Sequence, residues 1–172
     1  MITVVSDTHG ESDHRLAGRT LEAVREADLV VHAGDLMTEA VLDAFEAESA
    51  SFVAVRGNND PPLDCLPLER VVEFDGLRLV VVHGHQHHDT AMTMLGREAE
   101  ADLVVFGHSH RPTFDARAAV PRLNPGSHAH PRWYEAAHAE LHRRGDSLEG
   151  RLVEPDGTTM QEFTISLGRE EE

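Results

Sequence analysis

Apolar positions along the chain change period several times. Ile2–Ser6 (ITVVS) is a β-branched run of the kind that forms a buried strand. Between His14 and Ala27 the residues Ala17, Leu21, Val24 and Ala27 recur at helical spacing. Leu29–His32 reads as a second strand, bounded by Gly34. Thr38 is placed to cap a helix with Val41, Ala44 and Phe45 on its inner stripe and Glu39 in its first turn. Phe52–Val55 is a third strand, ended by the turn-rich RGNNDPP. Leu68–Phe74 and Leu77–His83, joined by Asp75-Gly76, predict a hairpin with a two-residue turn. A helix from about Asp89 to Glu100 leads into another buried strand, Leu103–Phe106. Beyond Pro112 short alternating strands with Pro and Gly breaks take over, and Asp156-Gly157 joins Leu148–Val153 to Thr159–Ile165.

This βαβαβ, hairpin, αβ and β-rich order predicts an α/β domain with a mostly parallel sheet extended by antiparallel strands. With 172 residues and no shift in composition, the chain reads as one domain over 1–168, and 169–172 as a frayed acidic tail. Ligands of open α/β sheets gather beyond the carboxyl ends of the strands. Here those ends read Asp7-Thr8-His9, Gly34-Asp35, Gly57-Asn58-Asn59-Asp60, His83-Gly84-His85 and Gly107-His108-Ser109-His110. Each is weak alone: Asp7 could merely cap a helix, and most Gly-Asp pairs are turns. Their ordered conjunction, one to each strand end, carries the argument.

Seven donors stand out: Asp7, His9, Asp35, Asn58, His83, His108 and His110. Four imidazoles, two carboxylates and an amide oxygen suit Mn, Fe, Co, Ni or Zn better than Mg or Ca, which prefer oxygen alone. Seven are too many for one tetrahedral site and enough for two divalent metal ions if one carboxylate bridges them.

SDTHG, AGD, RGNND, HGH and GHSH, in that order, resemble the calcineurin-like metallophosphoesterase superfamily, and within it the small YfcE-type phosphodiesterases; the later NPGS (Asn124–Ser127) fits that branch. The resemblance implies a sandwich of two mixed β-sheets flanked by helices, in α-β-β-α layers, with a dinuclear centre on one edge. It places Asp7, His9 and His110 on one metal, Asn58, His83 and His108 on the other, and Asp35 between them, with Mn the expected ion. It also implies in-line attack on phosphorus by a hydroxide held by both metals. Two divalent ions against two carboxylates leave a local charge of about +2, so an anionic phosphate is attracted despite an acidic chain. The catalytic set is then Asp35, Asn58 and Asn59. Much of the superfamily has a histidine where Asn59 stands, and an amide cannot protonate a leaving group, so good leaving groups should react best. Phosphomonoester or nucleotide hydrolysis at the same site is the nearer alternative. The more distant one is an interaction scaffold like the retromer subunit of similar fold.

The net charge is −16, and all fifteen basic residues are arginine. Such a chain is repelled by phosphate backbones and anionic lipid, so neither sequence-independent nucleic-acid binding nor membrane-surface binding is expected. Self-repulsion at that charge is relieved by salt, which points to a salt-rich, reducing cytoplasm; the one cysteine, Cys65, forms no internal disulfide. No run is long enough for a membrane helix, and the start MITVVSDTHG reads as no secretory signal. Arg56 and Arg111 flank two motifs as candidate clamps for substrate phosphate, with His85 beside them. His128 and His130 are lesser candidates for the cleft wall, whereas His87 and His88 read as solvated loop residues. Trp133 and Tyr134 are expected to pack under the last strands. Exposed edge strands would let copies pair into a homo-oligomer.

Overall fold

The strands sort into two sheets because alternate residues of each must face an apolar layer. The computed structural model describes residues 1–63 and 65–168; the tail expected at 169–172 lies outside them. The first sheet runs in the order β11 (Thr159–Ser166), β10 (Ser147–Val153), β9 (His138–Arg144), β1 (Ile2–Val5), β2 (Leu29–His32), β3 (Phe52–Ala54). The second runs β4 (Glu69–Phe74), β5 (Leu77–Val82), β6 (Leu103–Val105), β8 (Arg122–Asn124), β7 (Thr113–Asp115). Val4, Val31 and Leu141 of the first sheet meet Leu79, Val81, Val105 and Leu123 of the second in the central core.

Helices cover the outer faces. α1 (Gly18–Glu26) and α2 (Glu39–Glu48) lay Val24, Val41 and Phe45 over Val5, Val30 and Ala54. α3 (Asp89–Glu98) lays Met92 over Val80, Val82 and Val104. The layers are therefore α-β-β-α, as expected.

Local chemistry sets most boundaries. Thr38 Oγ1 accepts the Val41 N–H at 3.3 Å and caps α2. Asp75 and Gly76 have φ of 51° and 73°, the conformation that matches a two-residue turn to strand twist. Two expectations move. α1 begins at Gly18 rather than His14, because His14 Nδ1 accepts the Leu16 N–H in a local turn and Arg15 is left-handed at φ 60°. Trp133 and Tyr134 do not pack under the final strands: Trp133 is 92% exposed and Tyr134 40%, in the loop before β9. Cys65 is exposed as well.

For function the decisive feature is direction. β1, β2 and β3 are mutually parallel, and so are β5, β6 and β8. The backbone bond from Gly107 N to His83 O (3.0 Å) and the His83 Nδ1–Ala33 O contact (2.7 Å) bring the carboxyl ends of both sets to one edge of the sandwich. Six strand ends meet there, the five expected and that of β8.

Candidate functional site

Asp7 follows β1 and is wholly buried. Its Oδ2 accepts from Ser6 Oγ (2.6 Å) and from the His108 N–H (3.0 Å), while Oδ1 has no hydrogen-bond partner. That free oxygen lies 3.4 Å from His110 Nε2 and 3.8 Å from His83 Nε2. Burial pushes the Asp7 carboxyl up to about 6, partly offset by His83 and the Ser6 bond. Asp35 follows β2. Its Oδ2 lies 3.3 Å from His9 Nε2 and 3.5 Å from His83 Nε2, between the two rings. Burial raises the Asp35 carboxyl, but the His83 and His9 rings beside it and the hydrogen bond from Asn59 outweigh that and hold the group far below the carboxylate range.

The imidazoles are aimed by their outer nitrogens. His83 Nδ1 faces the Ala33 carbonyl at 2.7 Å, and His110 Nδ1 faces the His130 carbonyl at 2.5 Å. A carbonyl only accepts, so each Nδ1 carries a proton and Nε2 is the nitrogen that each ring turns to the site. Asn58 Oδ1 stands 3.0 Å from both His83 Nε2 and His108 Nδ1. Burial is the main influence depressing His110, to about 4, and it also lowers His108, with the positive charge of Arg132 adding to both. Asp7, His9 and His110 bring one ligand atom each within 4.8 Å of one another, and so do Asp7, Asp35 and His83.

All seven expected donors thus lie in one cluster. Lone pairs of carboxylate, amide and imidazole face one another across it, and Asp7 Oδ1, His9 Nε2 and His110 Nε2 have no hydrogen-bond partner. Such an arrangement is repulsive unless a proton or a cation lies between them. The residues fit divalent metal.

The backbone beneath is as specific as the side chains. A Cβ on Gly57 would sit 2.1 Å from Asp35 Oδ1, and one on Gly107 would sit 2.0 Å from Ser6 Oγ and 2.7 Å from Asp7 Oδ2. Close approach, rather than flexibility, requires both glycines. Asp7, His9, Asp35, His108 and His110 are all left-handed, with φ between 45° and 67°.

Several supports escaped the sequence reading. Asp60 accepts the N–H groups of Asp35 (2.9 Å), Gly57 (2.7 Å) and Met37 (2.7 Å), tying two donor loops together. Ser127 Oγ donates to the Asp7 carbonyl (2.7 Å) and accepts the His130 N–H (2.9 Å). Asn124 Nδ2 donates to the Gly107 carbonyl (2.8 Å). The last two belong to NPGS, so a signal existed; Asp60 sat unremarked inside RGNND. His128 is drawn inward instead of lining the cleft: Nε2 accepts the Ala17 N–H, and Nδ1 donates to Thr20 Oγ1 at 2.9 Å. His138 Nδ1 is 3.0 Å from the same hydroxyl, and its Nε2 donates to buried Glu140. His88 caps α3 by accepting the Ala91 N–H. His130 does line the site, its ring centroid 4.8 Å from that of His9 and 5.5 Å from that of His110.

The remaining expected contacts divide. His85 is adjacent, its ring 5.5 Å from His83 and 6.3 Å from His108, with Nδ1 buried and unpartnered. Asn59 turns its amide to Asp35: the backbone N–H donates to Oδ1 (2.9 Å) and Nδ2 to Oδ2 (2.7 Å). Arg56 is half-buried in the third loop. Arg111 is exposed and lines a hollow with Phe114 and Phe163, residues of the edge strands β7 and β11 rather than donors of the cluster.

Known proteins bear on this geometry. A family model described as the calcineurin-like phosphoesterase superfamily domain matches residues 1–143. The probable metallophosphoesterase MJ0623 of Methanocaldococcus jannaschii is 30% identical over 158 residues, 89% of this chain and 80% of that protein. The phosphodiesterase YfcE of Escherichia coli is 31% identical over 87 residues, 46% of each chain. Its solved structure matches with a TM-score of 0.67 over 96% of this chain and 99% of that one, at 21% identity. Vps29 of Chaetomium thermophilum shares the fold, with a TM-score of 0.76 at 19% identity over 96% of each chain.

Proposed function

This chain belongs to the calcineurin-like phosphoesterase superfamily, and on that premise we propose that it is a phosphodiesterase working with two divalent cations, manganese foremost. The observation that carries the reading is the group of unpartnered buried atoms, Asp7 Oδ1, His9 Nε2 and His110 Nε2, facing a second group formed by Asn58, His83 and His108 across the Asp35 carboxylate. Asp7, His9 and His110 would hold the first cation and Asn58, His83 and His108 the second, with the Asp35 carboxylate available to both. Bound together, such a pair activates water near neutral pH and neutralises charge on the phosphoryl group.

The residues of the chain do the rest by placement. Carbonyl acceptors at Ala33 and His130 keep the His83 and His110 Nε2 atoms inward, and two bonds from Asn59 fix the Asp35 carboxylate. Asn59 therefore orients a ligand and has no acidic proton to give a leaving oxygen. His85, whose ring is held neutral chiefly by burial and then by neighbouring His83 and His108, is a contact for the substrate rather than an acid at neutral pH. Esters with good leaving groups are the expected substrates, and diesters outrank monoesters. Likeness of fold to Vps29 supports an interaction module as a second reading, and a complete donor set counts against it.

Metal content and hydrolysis of bis(4-nitrophenyl) phosphate, with and without chelator, test the reading. Two ions per chain and chelator-sensitive turnover are expected, with Asp35→Asn losing both metals and activity. Stoichiometric metal without turnover of any diester would favour the interaction module, and faster monoester turnover would overturn the substrate class.

A further inference from the structure

The loop from Ser127 to Ala137 has no counterpart among the donor motifs, yet it is built into the site. Its base is closed by the Ala137 N–H donating to the Ser127 carbonyl at 3.3 Å. Ser127 holds Asp7, and the His130 carbonyl holds His110, so the loop starts on two donor residues. His130 packs its ring on His9 and His110, and a turn follows, closed by the Tyr134 N–H to the Pro131 carbonyl at 3.1 Å. At the head of that turn stand Arg132, left-handed at φ 58°, and Trp133.

Both residues stand open to solvent. Trp133 is 92% exposed, although indole is among the side chains that gain most from burial, and it is the sole tryptophan of the chain. Arg132 is exposed and, like Arg56 and Arg111, forms no ion pair among the described residues, so its guanidinium is available to an anionic ligand. It stands two residues beyond His130, whose ring packs on His9 and His110, and its positive charge acts on His108, His110 and His130 together. Beside His9 a hollow of about 370 Å³, lined by Glu11, Ser12, Asp13 and Arg15, leaves room for an ester substituent.

We propose that Arg132 and Trp133 form the substrate rim of this site, Arg132 binding a non-bridging phosphate oxygen and Trp133 stacking on a planar aromatic ester substituent, aryl or nucleobase. The inference rests on the phosphoesterase reading and adds the class of substrate. A guanidinium suits phosphate by its fork of donors, and an exposed indole suits any ring with a π face.

Because Trp133 is the only tryptophan, its emission reports the contact directly. Metal-loaded protein is titrated with methylphosphonate, phenylphosphonate and thymidine 5′-monophosphate, with affinities taken by calorimetry. Phenylphosphonate and the nucleotide should change Trp133 emission and bind about tenfold more tightly than methylphosphonate, a stacking-sized difference. Trp133→Ala should abolish that preference and Trp133→Phe keep most of it. Arg132→Ala should weaken all three ligands about tenfold, the size of one charge-assisted bond, with metal content unaltered. Preference for the nucleotide over phenylphosphonate would assign the partner ring to a base, and the reverse to a simple aryl group. Unchanged emission, or a preference that survives Trp133→Ala, overturns the proposal while bis(4-nitrophenyl) phosphate is still hydrolysed. Loss of that hydrolysis in the unaltered protein sinks the phosphoesterase reading instead.

Discussion

Replacing Asp60 by Asn tests whether the centre depends on a residue that touches none of the donor side chains. Asp60 accepts three backbone N–H groups from two loops, through Oδ2 to Asp35 and Gly57 and through Oδ1 to Met37. An amide has one acceptor oxygen. The cheaper orientation keeps Asp35 and Gly57 and sets Nδ2 against the Met37 N–H, so one bond is lost and two become neutral. A bond to a charged group contributes about 1.5–3 kcal/mol and a neutral one about half as much. Asp60 is half-buried, which favours the low end and leaves a cost of about 2–4 kcal/mol. For a chain of this size that lowers Tm by roughly 5–15 °C. The same slack loosens the Asp35 backbone and the Gly57 turn packed against its carboxylate, so metal affinity should fall roughly 10- to 100-fold, as when outer partners of ligands are removed. Thermal melts in chelator and titration with Mn²⁺ separate the two effects. A variant with unaltered Tm and metal affinity within twofold of the parent would refute the role given to Asp60.

Other expectations follow from single contacts. Gly107→Ala should abolish metal binding, because the new methyl would meet Ser6 Oγ at 2.0 Å and Asp7 Oδ2 at 2.7 Å; a fully loaded variant would contradict the packing argument. Asn59→His, which restores an acidic proton at that position, should raise turnover of esters with poor leaving groups, measured across a series of aryl leaving groups; a flat response would argue against an unassisted departure. His32 is pushed down to about 3, by burial first and then by the charge of His83, and its Nδ1 accepts the Gly34 N–H, so protonation there sets two donors face to face. With a folded value below the unfolded one of about 6.5, its contribution is full above that pH and is lost as pH falls toward 3. Metal-free protein should lose about 2 kcal/mol on this account at pH 5, and His32→Gln should flatten the slope between pH 7 and 5; equal slopes would exclude it. Finally, a net charge of −16 should make the melting temperature rise from low to molar KCl, and identical melts in both would sink the inference of salt adaptation.

What the sequence showed and what it hid divide along a physical line. The strands, the α2 cap and the Asp75-Gly76 turn were legible because short-range forces set them: period, a hydroxyl at a helix start, two left-handed residues. The seven donors were legible because metal chemistry restricts which residue types can serve. β7 and β8 are three residues each, too short to show a period, so the sixth strand end was not counted, although NPGS and His130 beyond it were singled out. Asp60 was invisible for another reason. Its partners, Asp35 and Met37, are more than twenty residues away, and only the parallel pairing of β2 with β3 brings their loops together. Trp133 was misplaced because its apolar surface argued for burial, and the loop that exposes it is fixed by contacts more than a hundred residues off, such as Ser127 to Asp7.

Backbone conformation explains why the site needs a sandwich of this size. Five donors are left-handed, a conformation costing about 1–2 kcal/mol for most L residues and less for Asp and His, which enter it more readily. Five such residues together cost several kcal/mol, a large share of the 5–15 kcal/mol net stability of an ordinary domain. Turning a donor back after a strand is what lets consecutive motif residues face inward, so the cost is inseparable from the convergence. The offset lies beneath, in the wholly buried Val4, Val31, Leu79, Val105 and Leu123 of the strands that carry the loops. It lies also in the bonds that over-determine each turn, from Asp60, Ser127 and Asn124. The donor types are therefore chosen twice, once for what they offer a cation and once for the backbone they tolerate. A β-branched residue at these positions would fail on both grounds.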